Sequence, residues 1–148
     1  VETIRTEVAV GAPAAIAWDV ISDLDGWARW NPVMRGKGNF ELGARPLITI
    51  APPGAKPIEF RPLVVEFDEG EALSWRRRLF IPGVFDSQFT LRVHKNGSAG
   101  SRFEQVGEFS GLLAGTLFSR NAKAFNLAFQ TMGRSLKREA ERLAAERP

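Results

Sequence analysis

Apolar residues recur along this chain with two different periods, and the switch between them divides it in two. As far as Phe109 they mostly alternate with polar residues, the period of two that marks half-buried strands. From about Ser119 to Glu146 they fall at steps of three and four. Phe118, Ala122, Phe125, Phe129, Met132, Leu136, Ala140 and Leu143 make one stripe along a helix. At a rise of about 1.5 Å per residue that helix is roughly 40 Å long, a length suited to lying across a sheet.

The alternating part begins with a strand over Thr3–Val10 that stops at Gly11-Ala12-Pro13, where proline suits the first turn of a helix. A short helix over Ala14–Leu24 carries Ile16, Val20, Ile21 and Leu24 on one side. Asp19, Asp23 and Asp25 fit exposed spacing and capping. The Asn31-Pro32 step then forces an extended or turn conformation. Six strands are predicted at 33–42, 45–51, 58–68, 72–80, 85–95 and 101–109, joined by short Gly-, Pro- and Asn-containing turns of the kind that connect antiparallel neighbours. Ser110–Leu117 is expected to form a buried turn or short helical piece leading into the long helix. The pattern predicts one α+β domain over 1–148, a curved antiparallel sheet wrapped on a single helix. Any gap left between the two is a ligand pocket.

Strand parity predicts which side chains meet the helix. Phe85, Phe89, Leu91 and Val93 share one face, as do Phe103, Gln105, Gly107 and Phe109. Leu73, Trp75, Arg77 and Leu79 are expected to join them, with Leu63, Val65 and Phe67, unless a bulge inverts the order. Asp86, Gln88, Arg92, His94, Arg102, Glu104 and Glu108 fall on the other, wet face. The inward aromatics fit either a filled core or a lined cavity. A glycine in mid-strand, Gly107, marks a bulge or leaves room for something else. Among polar residues of inward parity, a buried Arg77 guanidinium demands a carboxylate or an anionic ligand unless its stem reaches water. Gln105 offers an amide to a ligand or to a backbone group, and Asn126, next to Phe125 on the helix, borders a cavity or faces solvent. The candidate ligand-binding residues are therefore Trp75, Arg77, Phe89, Phe103, Gln105, Gly107, Phe125, Asn126 and Phe129. Trp18, Trp27 and Trp30 are expected to hold the short helix against the open end of the sheet.

Composition narrows the function classes. At 148 residues and 44% hydrophobic, the chain can bury a sizeable core. It has no cysteine, which excludes disulfides and thiolate chemistry. Its single histidine, His94, sits beside the Asn96-Gly97 turn and is expected at the surface, so neither a Ser-His-Asp site nor a metal site is predicted. No cofactor is expected. The net charge of +3 is dispersed, with Lys and Arg interleaved with Glu as in Lys137-Arg138-Glu139-Ala140-Glu141-Arg142. That is the pattern of a solvated helix face with i,i+4 pairs, not of a nucleic-acid footprint. Weak contact with an anionic membrane surface stays compatible with the charge. No run reaches the roughly 20 apolar residues of a membrane span, and the first residues lack the features of a signal peptide, so a cytoplasmic location is the default expectation. The oligomeric state is left open.

The order of elements, with several local phrases, resembles a known family. Pro13-Ala14-Ala15-Ile16-Ala17-Trp18-Asp19-Val20-Ile21-Ser22-Asp23, followed by Trp27 and Trp30-Asn31-Pro32, is similar to the opening of START-like, Bet v 1-like (SRPBCC) proteins of the polyketide cyclase/dehydrase and lipid transport group. Val65-Glu66-Phe67 with Leu73-Ser74-Trp75-Arg76 resembles its paired central strands, and Phe103-Glu104-Gln105 through Phe109-Ser110-Gly111-Leu112-Leu113 its last strand and exit. The resemblance implies a helix-grip fold, a seven-stranded sheet around the C-terminal helix, and an internal pocket for apolar molecules. Relatives often carry a histidine or threonine where this chain has Gln105, which weakens an acid–base role there. The expected function is binding of a small hydrophobic or amphipathic ligand, a lipid or an aromatic polyketide-like compound. A cyclase/dehydratase using the same pocket is the alternative, and a protein-interaction module displaying Phe80 or Trp27 a further one.

Overall fold

In a computed structural model the described residues are 1–51, 56–79 and 83–147. The strands are β1 (Glu2–Val10), β2 (Met34–Lys37), β3 (Leu47–Ile50), β4 (Ile58–Phe60), β5 (Leu63–Asp68), β6 (Ala72–Leu79), β7 (Phe85–Asn96) and β8 (Gly100–Ser110). The helices are α1 (Ala14–Ser22), the single turn α2 (Trp27–Trp30) and α3 (Ala114–Glu146), with a 3-10 turn at Leu24–Gly26. The predicted turns at 52–57 and 81–84 and the proposed exposed Phe80 lie partly or wholly outside the described residues, as does the side chain of Leu79.

All pairings are antiparallel. Five strands hydrogen-bond in the order β1-β8-β7-β6-β5 and three in the order β2-β3-β4. The sequence predicts one strand over 58–68; the chain instead bends at Arg61-Pro62, because proline has no N–H to donate to a ladder. Counting β4 and β5 as one bent strand gives the seven expected for a helix-grip fold. The strand predicted at 33–42 is shorter, ending at Lys37. Asn31 turns the chain into it, its Oδ1 accepting the N–H groups of Val33 and Met34 at 2.9 and 3.0 Å.

The parity expectation holds on β6, β7 and β8, where Leu73, Leu91 and Gln105 stand in one cross-strand row and Trp75, Phe89 and Gly107 in the next. It fails on β5. A register shift between Val64 and Glu66 inverts the order, so Val64, 1% exposed, stands opposite Trp75, while Leu63 pairs with Arg76 on the other face. Phe67, beyond the bulge, faces inward as expected, opposite Leu73.

The long helix starts at Ala114, one turn earlier than its stripe predicts. The connection before it is not buried: Leu112 is 87% exposed. The C-terminal half of α3, which packs on β1 and α1, buries Met132, Leu136 and Ala140. Glu141 ties this half to the β1–α1 turn, accepting the Gly11 N–H at 2.7 Å and the Lys137 ammonium. Arg142 pairs with Glu146 at the predicted i,i+4 spacing and also with Glu139 at i,i+3.

Candidate functional site

Sheet and helix do not close completely. Under the N-terminal half of α3 lies a cavity of about 190 Å³, lined on the sheet side by Trp75, Phe89, Gly107 and Phe109 and on the helix side by Phe125, Ala128 and Phe129. Met34, Ile50 and Phe60 from the three-stranded sheet and Val33 just before it complete the wall, with Phe85, Arg77, Ser87 and the Gln88 position. Two rows of aromatic rings frame it. In one, Trp75 meets Phe89 edge-on at 4.9 Å between centroids, and Phe89 meets Phe129 at 5.0 Å. In the other, Phe109 stacks on Phe125 at 5.1 Å and on Phe85 at 5.9 Å. Trp27 backs the first row, 6.2 Å from Trp75. It is fully buried and donates its indole N–H to the Ile21 carbonyl at 3.0 Å, which removes it as an exposed docking aromatic.

The space beside Gly107 is taken up by the chain itself. A Cβ at that position would lie 2.8 Å from Cζ of Phe129, so the missing side chain admits the helix's own ring. The cavity is what remains beyond that ring.

Arg77 is the one cationic residue among the described residues of the cavity wall. Its guanidinium carbon lies 4.2 Å from the centroid of the Phe60 ring, a cation–π contact. Burial lowers its pKa, since desolvation disfavours the charged form. No carboxylate among the described residues pairs with it. Ser87, its cross-strand neighbour, adds a hydroxyl to the same wall.

Of the nine predicted site residues, Trp75, Arg77, Phe89, Gly107, Phe125 and Phe129 converge on this cavity. Three do not. Gln105 and Phe103 line a separate crevice of about 270 Å³ between β1 and α3. There Gln105, 1% exposed, donates from Nε2 to the Phe129 carbonyl at 2.7 Å and ties β8 to the helix backbone, while its Oε1 is buried without a partner among the described residues. Asn126 faces solvent on the far side of α3, where its Oδ1 accepts from Gln130 at 3.2 Å. Its i,i+1 step from Phe125 turns it about 100° away from the stripe. The wall residues outside the predicted set include Val33, Met34, Ile50, Phe60, Ser87 and Ala128, with Phe85 and Phe109, which were given inward parity but not assigned to the site. The alternation Phe85-x-Ser87-x-Phe89 already carried the signal for Ser87.

His94 lies on the outer face, where Nε2 meets Glu104 Oε1 at 2.9 Å. Glu104 is itself buried and also pairs with Arg5 at 3.3 Å. Asp25 accepts the Gly38 N–H at 3.2 Å, a loop contact in place of the expected helix cap. Among the described residues no group of three or more acidic or histidine side chains is placed to hold a metal ion, and no helix is long and apolar enough to cross a membrane.

The fold and cavity can be set beside known proteins. A family model described as polyketide cyclase/dehydrase and lipid transport matches residues 2–146, and the chain belongs to that family. Among solved structures it is similar to the Zhui aromatase/cyclase from Streptomyces sp. R1128, with a TM-score of 0.76 and 16% identity over 95% of this chain and 94% of that one. It is also similar to the di-domain ARO/CYC BexL of the BE-7585A biosynthetic pathway (TM-score 0.74, 16% identity, 95% of this chain), of which it spans about half, 47%. Ara h 8.0201 matches with a TM-score of 0.70 and 15% identity, covering 94% of this chain and 97% of that one. At these identities the likeness shows the fold alone. No curated protein matches the sequence at a significant level.

Proposed function

We propose that this protein binds a small, largely apolar ligand in the cavity between the sheet and the N-terminal half of α3. The observation that carries the proposal is the aromatic cavity itself, about 190 Å³ and lined by side chains from both layers. An apolar space of about 150 Å³ is enough to take up benzene, so a cavity of this size suits one aromatic ring with a substituent or a short acyl chain. Burying about 200 Å² of such a ligand at ~25 cal/mol per Å² supplies roughly 5 kcal/mol before the costs of ordering. Family membership supports the same class of ligand.

Binding is favoured over catalysis because the polar side chains of inward parity on the described wall are Arg77 and Ser87. A cyclase or dehydratase needs a group that exchanges protons near neutral pH, and a guanidinium and a hydroxyl without a base beside it are poor at this. Thermal-shift measurements with ring-sized aromatics and short acyl compounds are the test. A ligand at 100 times its dissociation constant adds about 2.7 kcal/mol to stability. The shift is expected to vanish in Ala128→Phe, which fills the cavity from the helix side. Absence of a shift with every compound of that size would sink the proposal.

A further inference from the structure

Where β4 parts from β5 at Arg61-Pro62, the sheet opens. Pairing of β5 with β6 ends at Leu63 opposite Arg76, so the β6 edge beyond Arg76 has no β5 neighbour. The gap forms a cleft of about 280 Å³ lined by five arginines, Arg45, Arg61, Arg76, Arg77 and Arg78, with Phe60 and Leu63. The seven ion pairs among the described residues use Arg5, Arg92, His94, Arg102, Lys137 and Arg142, and none uses an arginine of this cleft. The carboxylate nearest in register, Asp86 opposite Arg78, turns to accept the Gly83 N–H at 3.2 Å. Arg61 donates to the Arg45 carbonyl at 3.4 Å. Five like charges in one cleft repel one another, and a bound anion relieves that repulsion.

Phe60 and Arg77 line both this cleft and the aromatic cavity. We infer that the ligand is an anionic amphiphile, a ring-sized apolar body held in the cavity with a carboxylate or phosphate on a short tether reaching the arginine cleft through the break in the sheet. This rests on the binding function proposed above and adds the ligand's charge and the route by which it is recognised. Arginine forks suit both headgroups because they offer paired N–H donors to two oxygens at once. Arg77 stands at the junction, held over the Phe60 ring.

The probes are 3-phenylpropionate and its neutral counterpart 3-phenylpropanol, titrated calorimetrically with the full chain at low salt and again at 0.3 M salt, with inorganic phosphate as competitor. The carboxylate is expected to bind at least about tenfold more tightly than the alcohol, as charge-assisted hydrogen bonds predict. Salt and phosphate should erode that ratio. In Arg45→Gln/Arg61→Gln, whose two positions lie on the cleft but not on the cavity wall, the ratio should fall below about threefold. Equal affinities for the two compounds would overturn the anionic cleft and leave the apolar cavity standing. A tenfold preference that survives the double substitution would also overturn it. If neither compound binds, the tethered anionic ligand is overturned, while the cavity proposal is decided by the wider set of rings and acyl chains.

Discussion

The two halves of α3 do different work, although one continuous stripe of apolar residues runs through both. The C-terminal half is clamped: Met132, Leu136 and Ala140 are buried against β1 and α1, and Glu141 reaches across to Gly11. The N-terminal half bridges open space. It touches the sheet through Phe118 and Phe125 on Phe109 and leaves Leu127 60% exposed. The cavity lies under this second half. A fold that must hold together and still admit a guest can separate the tasks along one element, with cohesion at one end of the helix and vacancy at the other.

The sharpest way to break the contrast is to remove an equal side chain from each half. Leu136, 0% exposed, should cost about 2–5 kcal/mol when replaced by alanine, through lost burial and the cavity left behind. Leu127→Ala should change stability by less than about 0.5 kcal/mol. Urea unfolding of the two variants measures the difference, and equal losses would show that both halves are clamped alike.

A smaller effect is expected at the boundary between the halves. Gly107→Ala drives a Cβ against the Phe129 ring and should destabilise by about 1–3 kcal/mol. Phe129→Leu in the same chain should recover part of that loss, and a double-mutant cycle reads the coupling. Strictly additive losses would mean that the ring does not occupy the glycine's space.

The least effect belongs to Glu141. Hydrogen bonds from Lys137 and from the Gly11 N–H lower its pKa below the usual carboxylate range. A carboxyl depressed in the folded state contributes stability above its unfolded pKa and loses it as pH falls through the folded one. Glu141→Gln should therefore be less stable than the parent at pH 7, by ~0.5 kcal/mol for so exposed a group. The gap should close below about pH 4. A gap that stays constant from pH 7 to pH 3 would mean that the charge contributes nothing.

Much of this architecture is legible in the sequence because it rests on periodicity. The stripe from Phe118 to Leu143 predicts the helix, and alternation on β6, β7 and β8 places Trp75, Arg77, Phe89 and Gly107 on the inner face. What escapes is what depends on single departures from the period. The bulge at Val64–Glu66 follows from no residue type, so Leu63 and Val65 were expected inward and Val64 was not. The strand predicted over 58–68 runs through Pro62, whose missing N–H was the available signal for a break, and only the spatial arrangement shows that five arginines gather there. Gln105 has inward parity, but inward at its height on β8 means against the Phe129 carbonyl, away from the aromatic cavity. Parity settles the side of a sheet and is silent about position along it.

The interruption at Arg61-Pro62 lies in the backbone, while the charges around it lie on side chains that make none of the ladder's hydrogen bonds. If the proposed anionic ligand enters there, exchanging those arginines alters what is admitted at the threshold and costs the architecture nothing in strand pairing. On that proposal selectivity and foldability are inherited through different atoms, which lets one diversify while the other stands still.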